Sequence, residues 1–185
     1  HTTIPDPMDQ TTVVLKAQPK VAEGGSIIYT ATLSNAAQTT VIITLSGGQT
    51  INITAGATTG TLILPAPADD VYLDAGSVSK TITGTSSGNF ENLTVNPTPA
   101  VTSITDTIDT TTVVLTATPN VAEGGSIIYT ATLSNAAQTP VIITLSGGQT
   151  ITITPGATTG TLILPPPTDD VYLDAGSVSK PITGT

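Results

Sequence analysis

Residues 11–85 of this chain return as residues 111–185, aligned without a gap and differing at nine positions: Lys16/Thr116, Gln18/Thr118, Lys20/Asn120, Thr40/Pro140, Asn52/Thr152, Ala55/Pro155, Ala66/Pro166, Ala68/Thr168 and Thr81/Pro181. Whatever fold one copy adopts, the other must be able to adopt too. A period near 100 residues is that of a whole domain, because solenoid units are roughly 20 to 50 residues long. The repetition predicts two domains, residues 1–105 with an N-terminal linker and residues 106–185. The second copy stops before anything equivalent to residues 90–104, so its last strand is expected to be missing, either cut at a boundary or supplied by a neighbouring chain.

Composition sets what each domain can bury. With one Phe, four Tyr and no Trp, the core must be built from Val, Ile, Leu and Ala. Cysteine is absent, so neither disulfides nor thiolate metal sites can staple the fold. Thirteen acidic residues stand against four basic ones, with no Arg. That balance argues against nucleic acid and anionic membranes as partners and makes cations the natural ones. No apolar run approaches the roughly 20 residues of a membrane span. Residues 1–10 lack the basic start and apolar stretch of a signal peptide, so an export address is expected outside this stretch.

From Thr11 onward the chain alternates apolar and polar residues, with Thr, Val and Ile supplying high β-propensity. Val13 and Leu15 begin a first strand that ends at Pro19, and residues 21–25 form a turn. Residues 26–33 are a second strand with Ile27, Tyr29, Ala31 and Leu33 on one face. Val41, Ile43 and Leu45 line a third, Ser46-Gly47-Gly48-Gln49 is a hairpin-like turn, and Ile51 and Ile53 line a fourth. A fifth strand over residues 61–64 is stopped by Pro65 and Pro67, and residues 77–83 form a sixth with Val78 and Ile82 inward. Residues 90–95 supply a seventh, with residues 101–104 as a competing or additional strand. Short strands punctuated by Gly and Pro every 8 to 12 residues, without helical periodicity, predict an all-β fold: tandem antiparallel β-sandwiches of immunoglobulin-like type. Ile27, Tyr29, Leu33, Val41, Ile43, Ile53, Leu62, Leu64, Val78 and Ile82 are expected to be buried, with their counterparts 100 residues on.

In a chain that is 9% charged, Asp69-Asp70-Val71-Tyr72-Leu73-Asp74-Ala75-Gly76-Ser77 holds three carboxylates within six residues and recurs at 169–177. Carboxylates so close repel and need water or a cation. If strands run alternately down and up, the turn holding Glu23 and the loop holding Asp69, Asp70 and Asp74 share the pole where the chain leaves the first domain. Asp106 and Asp109 enter the same space. A lone surface carboxylate is ordinarily just solvated. Six of them converging without a Lys suit Ca²⁺, which takes six to eight oxygens in flexible geometry, better than Mg²⁺ or zinc.

Val-Ala-Glu-Gly-Gly at 21–25, Ala-Gly-Ala-Thr-Thr-Gly-Thr-Leu at 55–62, the acidic stretch at 69–77, Gly-Asn-Phe-Glu-Asn-Leu at 88–93 and Asp-Thr-Ile-Asp-Thr-Thr-Thr-Val at 106–113 resemble the tandem extender repeats of giant bacterial RTX adhesins. More remotely, the chain is similar to Calx-beta domains. The resemblance implies an immunoglobulin-like module repeated many times, exported to the bacterial cell surface and stiffened by calcium. Carried over, the metal ligands are Glu23, Asp69, Asp70, Asp74, Asp106 and Asp109, with Glu123, Asp169, Asp170 and Asp174 in the second copy. Asp6 and Asp9, which align with Asp106 and Asp109, and Glu91 complete the candidates.

The function expected is an extracellular, calcium-rigidified structural spacer of an adhesin acting in biofilm attachment, with neighbouring repeats of the same chain as partners. The alternatives are a subunit of an extracellular filament completed by donor-strand exchange, or a glycan- or surface-binding module. Ligand sites ordinarily present an apolar or aromatic patch, which this composition does not favour. An enzyme is not expected. The only histidine is His1, cysteine is absent, and a carboxylate pair working on sugars would want stacking aromatics.

Overall fold

The computed structural model describes residues 8–86, 88–165 and 176–185. The chain divides into two compact units, His1–Ile108 and Asp109–Thr185. Among the described residues every regular element is a strand.

Unit 1 contains ten strands: β1 (Gln10–Ala17), β2 (Lys20–Ala22), β3 (Ser26–Leu33), β4 (Val41–Leu45), β5 (Thr50–Ile53), β6 (Thr59–Pro65), β7 (Gly76–Lys80), β8 (Ile82–Thr85), β9 (Asn92–Val95) and β10 (Ala100–Thr105). They form three sheets ordered β6-β3-β1-β9, β2-β10-β7 and β5-β4-β8. Alternation is what buries them as a sandwich. Along β3, Ile27, Tyr29, Ala31 and Leu33 face inward while Ile28 stays exposed, as a pleat of period two requires. Val13, Leu15, Val41, Ile43, Leu45, Ile51, Ile53, Ala100 and Ile104 join them in one core.

Several expectations are corrected. The stretch 21–25 is a turn only in its second half, because residues 20–22 form β2 and pair in parallel with β10 (Ile104 beside Val21). A second parallel pair joins β1 to β9, so two sheets of unit 1 each include one parallel pair, while their other pairings and the whole of β5-β4-β8 are antiparallel as expected. The single sixth strand is two, β7 and β8, separated by Thr81. β7 pairs with β10 and β8 with β4, so the chain changes sheets at that residue. Residues 92–95 and 100–105 are both strands, in different sheets. Leu62, Leu64, Val78 and Ile82 are half-buried against the core rather than enclosed by it.

Unit 2 contains β11 (Val113–Ala117), β12 (Ile127–Leu133), β13 (Val141–Leu145), β14 (Thr150–Ile153), β15 (Thr159–Leu164) and β16 (Ile182–Gly184). Its sheets are β11-β12-β15 and β14-β13-β16, with the register of unit 1 kept, for example Tyr129 opposite Leu162 as Tyr29 is opposite Leu62. Tyr129, Leu133, Ile143 and Ile153 are buried. Ile127, Val141, Leu162, Leu164 and Ile182 are half-buried, and Val178 is exposed, contrary to expectation. In unit 1 its counterpart Val78 lies opposite Thr102 of β10, whereas among the described residues no strand pairs with residues 176–180.

Candidate metal centre

The site in unit 1 begins with a turn that only glycine can make. Gly24 has φ +68°, a left-handed conformation that costs a residue with a Cβ strain. A Cβ on Gly25 would stand 2.8 Å from Val21 Cγ1 and 2.9 Å from the Ala22 carbonyl oxygen. The Glu-Gly-Gly sequence therefore folds back tightly, and Gly25 N–H donates to the Ala22 carbonyl. Two neighbours pin the turn. Glu23 N–H donates to the Thr105 carbonyl at 3.0 Å and Gly24 N–H to the Pro67 carbonyl at 2.7 Å. Thus the turn after β2, the loop after β6 and the end of β10 are drawn to one place.

Three carboxylates meet there. Glu23, Asp74 and Asp106 each offer an oxygen, and these oxygens lie within 4.8 Å of one another. Glu23 is buried, at 7% exposure, while Asp106 is half-buried and Asp74 exposed. Glu23 Oε2 and Asp106 Oδ1 are buried without a hydrogen-bond partner, which is costly for an acceptor and more so for an ionised one. Burial, a hydrogen bond with the Asp74 carboxyl and the charges of Asp74, Asp106 and Asp70 push the Glu23 carboxyl up to about 7. Lys80, the cation nearest in sequence to Asp74, lies elsewhere. Its Nζ donates to the Ser46 carbonyl at 2.8 Å and to Gln49 Oε1 at 3.0 Å, closing the β4–β5 hairpin.

The other candidates are placed as follows. Asp69 Oδ1 accepts a hydrogen bond from Thr107 Oγ1, which ties the acidic loop to the chain just past Asp106. Asp70 Oδ1 accepts from Tyr72 N–H at 2.8 Å, a local turn bond typical of Asp, and its charge still reaches Glu23. Asp109 is the first residue of unit 2 and is not one of the three converging acids. Asp9 and Glu91 are together at the start of β1, where Asp9 N–H donates to Glu91 Oε2 at 2.7 Å. That is the far end of β1 from Glu23, so neither belongs to this centre. Glu123 is exposed. Asp6, Asp169, Asp170 and Asp174 lie outside the described residues. Thr107 is the contributor that charge alone did not point to; its only signal was its place beside Asp106.

An all-oxygen, acidic set with two buried, unpartnered oxygens fits a hard divalent cation. Residues 9–107 and 109–185 each match the family model of the LapA domain. No curated protein matches the chain.

Proposed function

Since the chain belongs to the LapA domain family, a family associated with biofilm adhesins, we propose that it is a non-catalytic spacer of a bacterial surface adhesin whose repeats are stiffened by Ca²⁺. In this reading Glu23, Asp74 and Asp106 hold the ion in unit 1. Asp69 and Asp70 add negative charge around it. The ion supplies the positive charge that the site lacks. Because Asp106 directly follows β10 on the way out of unit 1, holding its carboxylate also holds the outgoing chain. The protein works outside the cell, its partners are the repeats before and after it, and its resemblance to RTX extender repeats gives it the task of carrying an adhesive domain away from the surface.

The observation that carries this reading is the pair of buried, unpartnered oxygens on Glu23 and Asp106. Such atoms are tolerated when a proton or a cation completes them. Thermal unfolding in chelator, millimolar Ca²⁺ and millimolar Mg²⁺ tests it. A ligand bound only by the folded state stabilises it by about 2.7 kcal/mol at a hundredfold excess over Kd, so Ca²⁺ should raise the melting temperature clearly. Mg²⁺ should raise it less, because it gives up its water reluctantly. Glu23→Gln and Asp106→Asn should each abolish most of the calcium response while melting in chelator no lower than wild type, since each removes a repelling charge. Equal melting of wild type in chelator and Ca²⁺ would sink the proposal.

A further inference from the structure

In unit 1 the strands that begin and end the fold are each seated against a strand from the other half of the chain, and both seats are parallel. The first strand, β1, pairs with β9, from Gln10 beside Asn92 to Val13 beside Val95. The last, β10, pairs with β2, from Ser103 beside Lys20 to Thr105 beside Ala22. The two seams lie in different sheets, yet one course of chain feeds both. Gln18 N–H donates to the Ile28 carbonyl and so extends β1 along β3, and at Pro19 the chain passes to the other sheet, where the Pro19 carbonyl accepts from Ser103 N–H at 3.0 Å.

Register fixes the direction. Successive residues of the first course meet successive residues of β10: Thr102 Oγ1 donates to the Gln18 carbonyl at 2.7 Å, Ser103 N–H to the Pro19 carbonyl, and Glu23 N–H to the Thr105 carbonyl at 3.0 Å. The chain therefore enters unit 1 at the pole where Asp9 meets Glu91 and leaves it at the pole where Glu23 meets Asp106. Tension along the chain draws β1 back toward the first pole and β10 forward toward the second, so each strand is dragged along its own axis. Bonds that run across the strands are then loaded together, whereas a seam opened from one end loses them one at a time. Burial adds to the resistance. Thr11, Thr102 and Ile104 are 3%, 0% and 4% exposed, so a bond stretched there has no water at hand to replace it.

From this we infer that unit 1 is a load-bearing module: the parallel seats of β10 beside β2 and of β1 beside β9 form a shear clamp that resists tension applied through the ends of the unit, with no ion required. Strand direction is the device. Were β10 antiparallel to β2, it would leave at the pole where β1 enters, and the same pull would peel it away. β7, on the other side of β10, is loaded lengthwise as well, since it too lies along β10. This goes beyond the spacer reading, because it concerns how a pulled unit stays folded and rests on strand pairing rather than on the carboxylates.

Single-molecule force spectroscopy on the full 185-residue chain, in chelator, tests it. The chain has no cysteine, so a pair of engineered cysteines sets the direction of pull. Met8→Cys with Thr105→Cys loads the clamp lengthwise. Ala22→Cys with Thr105→Cys grips two residues that face each other across the β2–β10 seam and peels it open from that end. Unfolding under force is governed by the unfolding rate, and the first pair should unfold at severalfold higher force than the second. Thr102→Val, which keeps a branched side chain and deletes the bond to Gln18, should lower the lengthwise force. Ile51→Val trims the buried core at β5, a strand in neither seam, and should lower the melting temperature while leaving the lengthwise force nearly unchanged. Equal forces for the two cysteine pairs would overturn the inference. So would a lengthwise force that falls as much with Ile51→Val as with Thr102→Val. Because every pull is made in chelator, such a failure leaves the calcium reading standing, and equal melting in chelator and Ca²⁺ would leave the clamp standing.

Discussion

Glu23 is the residue on which chemistry and fold meet. Its Cα position is dictated by the two glycines after it, and its charge state by three acids brought from residues 70, 74 and 106. An ordinary carboxyl titrates near 4.5, whereas this one is pushed up to about 7. Between those values the folded, metal-free protein holds a proton that the unfolded chain has released. Folding stability therefore falls as pH rises through that window and levels off above it. In chelator, the melting temperature of unit 1 should decline from about pH 5 to about pH 8, and Glu23→Gln should remove most of the decline. Saturating Ca²⁺ should also flatten it, because the cation takes the proton's place. A melting temperature that rises with pH over this range in chelator would contradict the assignment. Tyr29 illustrates a different cost. It is fully buried with an unpartnered hydroxyl, and burial raises its pKa, so it serves the core as a neutral ring.

Among the elements, β10 decides most. It is central in its sheet, covers the inner face of the sandwich with Ala100, Thr102 and Ile104, and ends at the residues that carry Asp106. Its contribution can be read by making one change in both units. Leu15→Ala empties a site that is 4% exposed and should destabilise unit 1 by about 2 to 5 kcal/mol, the usual range for a buried leucine. Leu115→Ala changes an identical residue in a half-buried setting and should cost clearly less, since part of its surface is already wet. Denaturant unfolding monitored by hydrogen exchange in each unit would separate the two. Equal costs would mean that β10 does not seal Leu15.

For the molecule as a whole, none of the nine positions at which the copies differ changes a carboxylate, and of the enclosed core only Ala66 is touched. Four of them, at 140, 155, 166 and 181, bring proline into the second copy. Thr81 N–H donates to Ser46 Oγ at 3.2 Å, a bond that Pro181 cannot make, while the reciprocal bond from Ser146 N–H to the Pro181 carbonyl remains. If a bound ion holds Asp106 and so the chain leaving unit 1, calcium should narrow the distribution of interdomain distances of the two-domain chain in small-angle scattering. Asp106→Asn should leave that distribution broad at the same calcium concentration. An equal narrowing in the variant would mean that any stiffness arises elsewhere, even if calcium stabilises each unit.

Period-two alternation is a local property, so the sequence by itself determined that the chain is all-β and that Ile27, Tyr29, Leu33, Val41, Ile43 and Ile53 face a core. It also placed Asp69, Asp70 and Asp74 within six residues of one another with no cation nearer to them in sequence than Lys80. It could not determine which strands lie side by side, because alternation records which face of a strand is apolar and nothing about its neighbour. The parallel seat of β10 beside β2, the change of sheet at Thr81, the turning away of Lys80 and the selection of Glu23, Asp74 and Asp106 from the acidic candidates all depend on contacts between residues distant in the chain. The clearest instance is Gly-Ser-Val-Ser-Lys, which is a strand at residues 76–80 and not at 176–180. The five residues are the same; at 76–80 they hydrogen-bond to β10, and at 176–180 no described strand pairs with them.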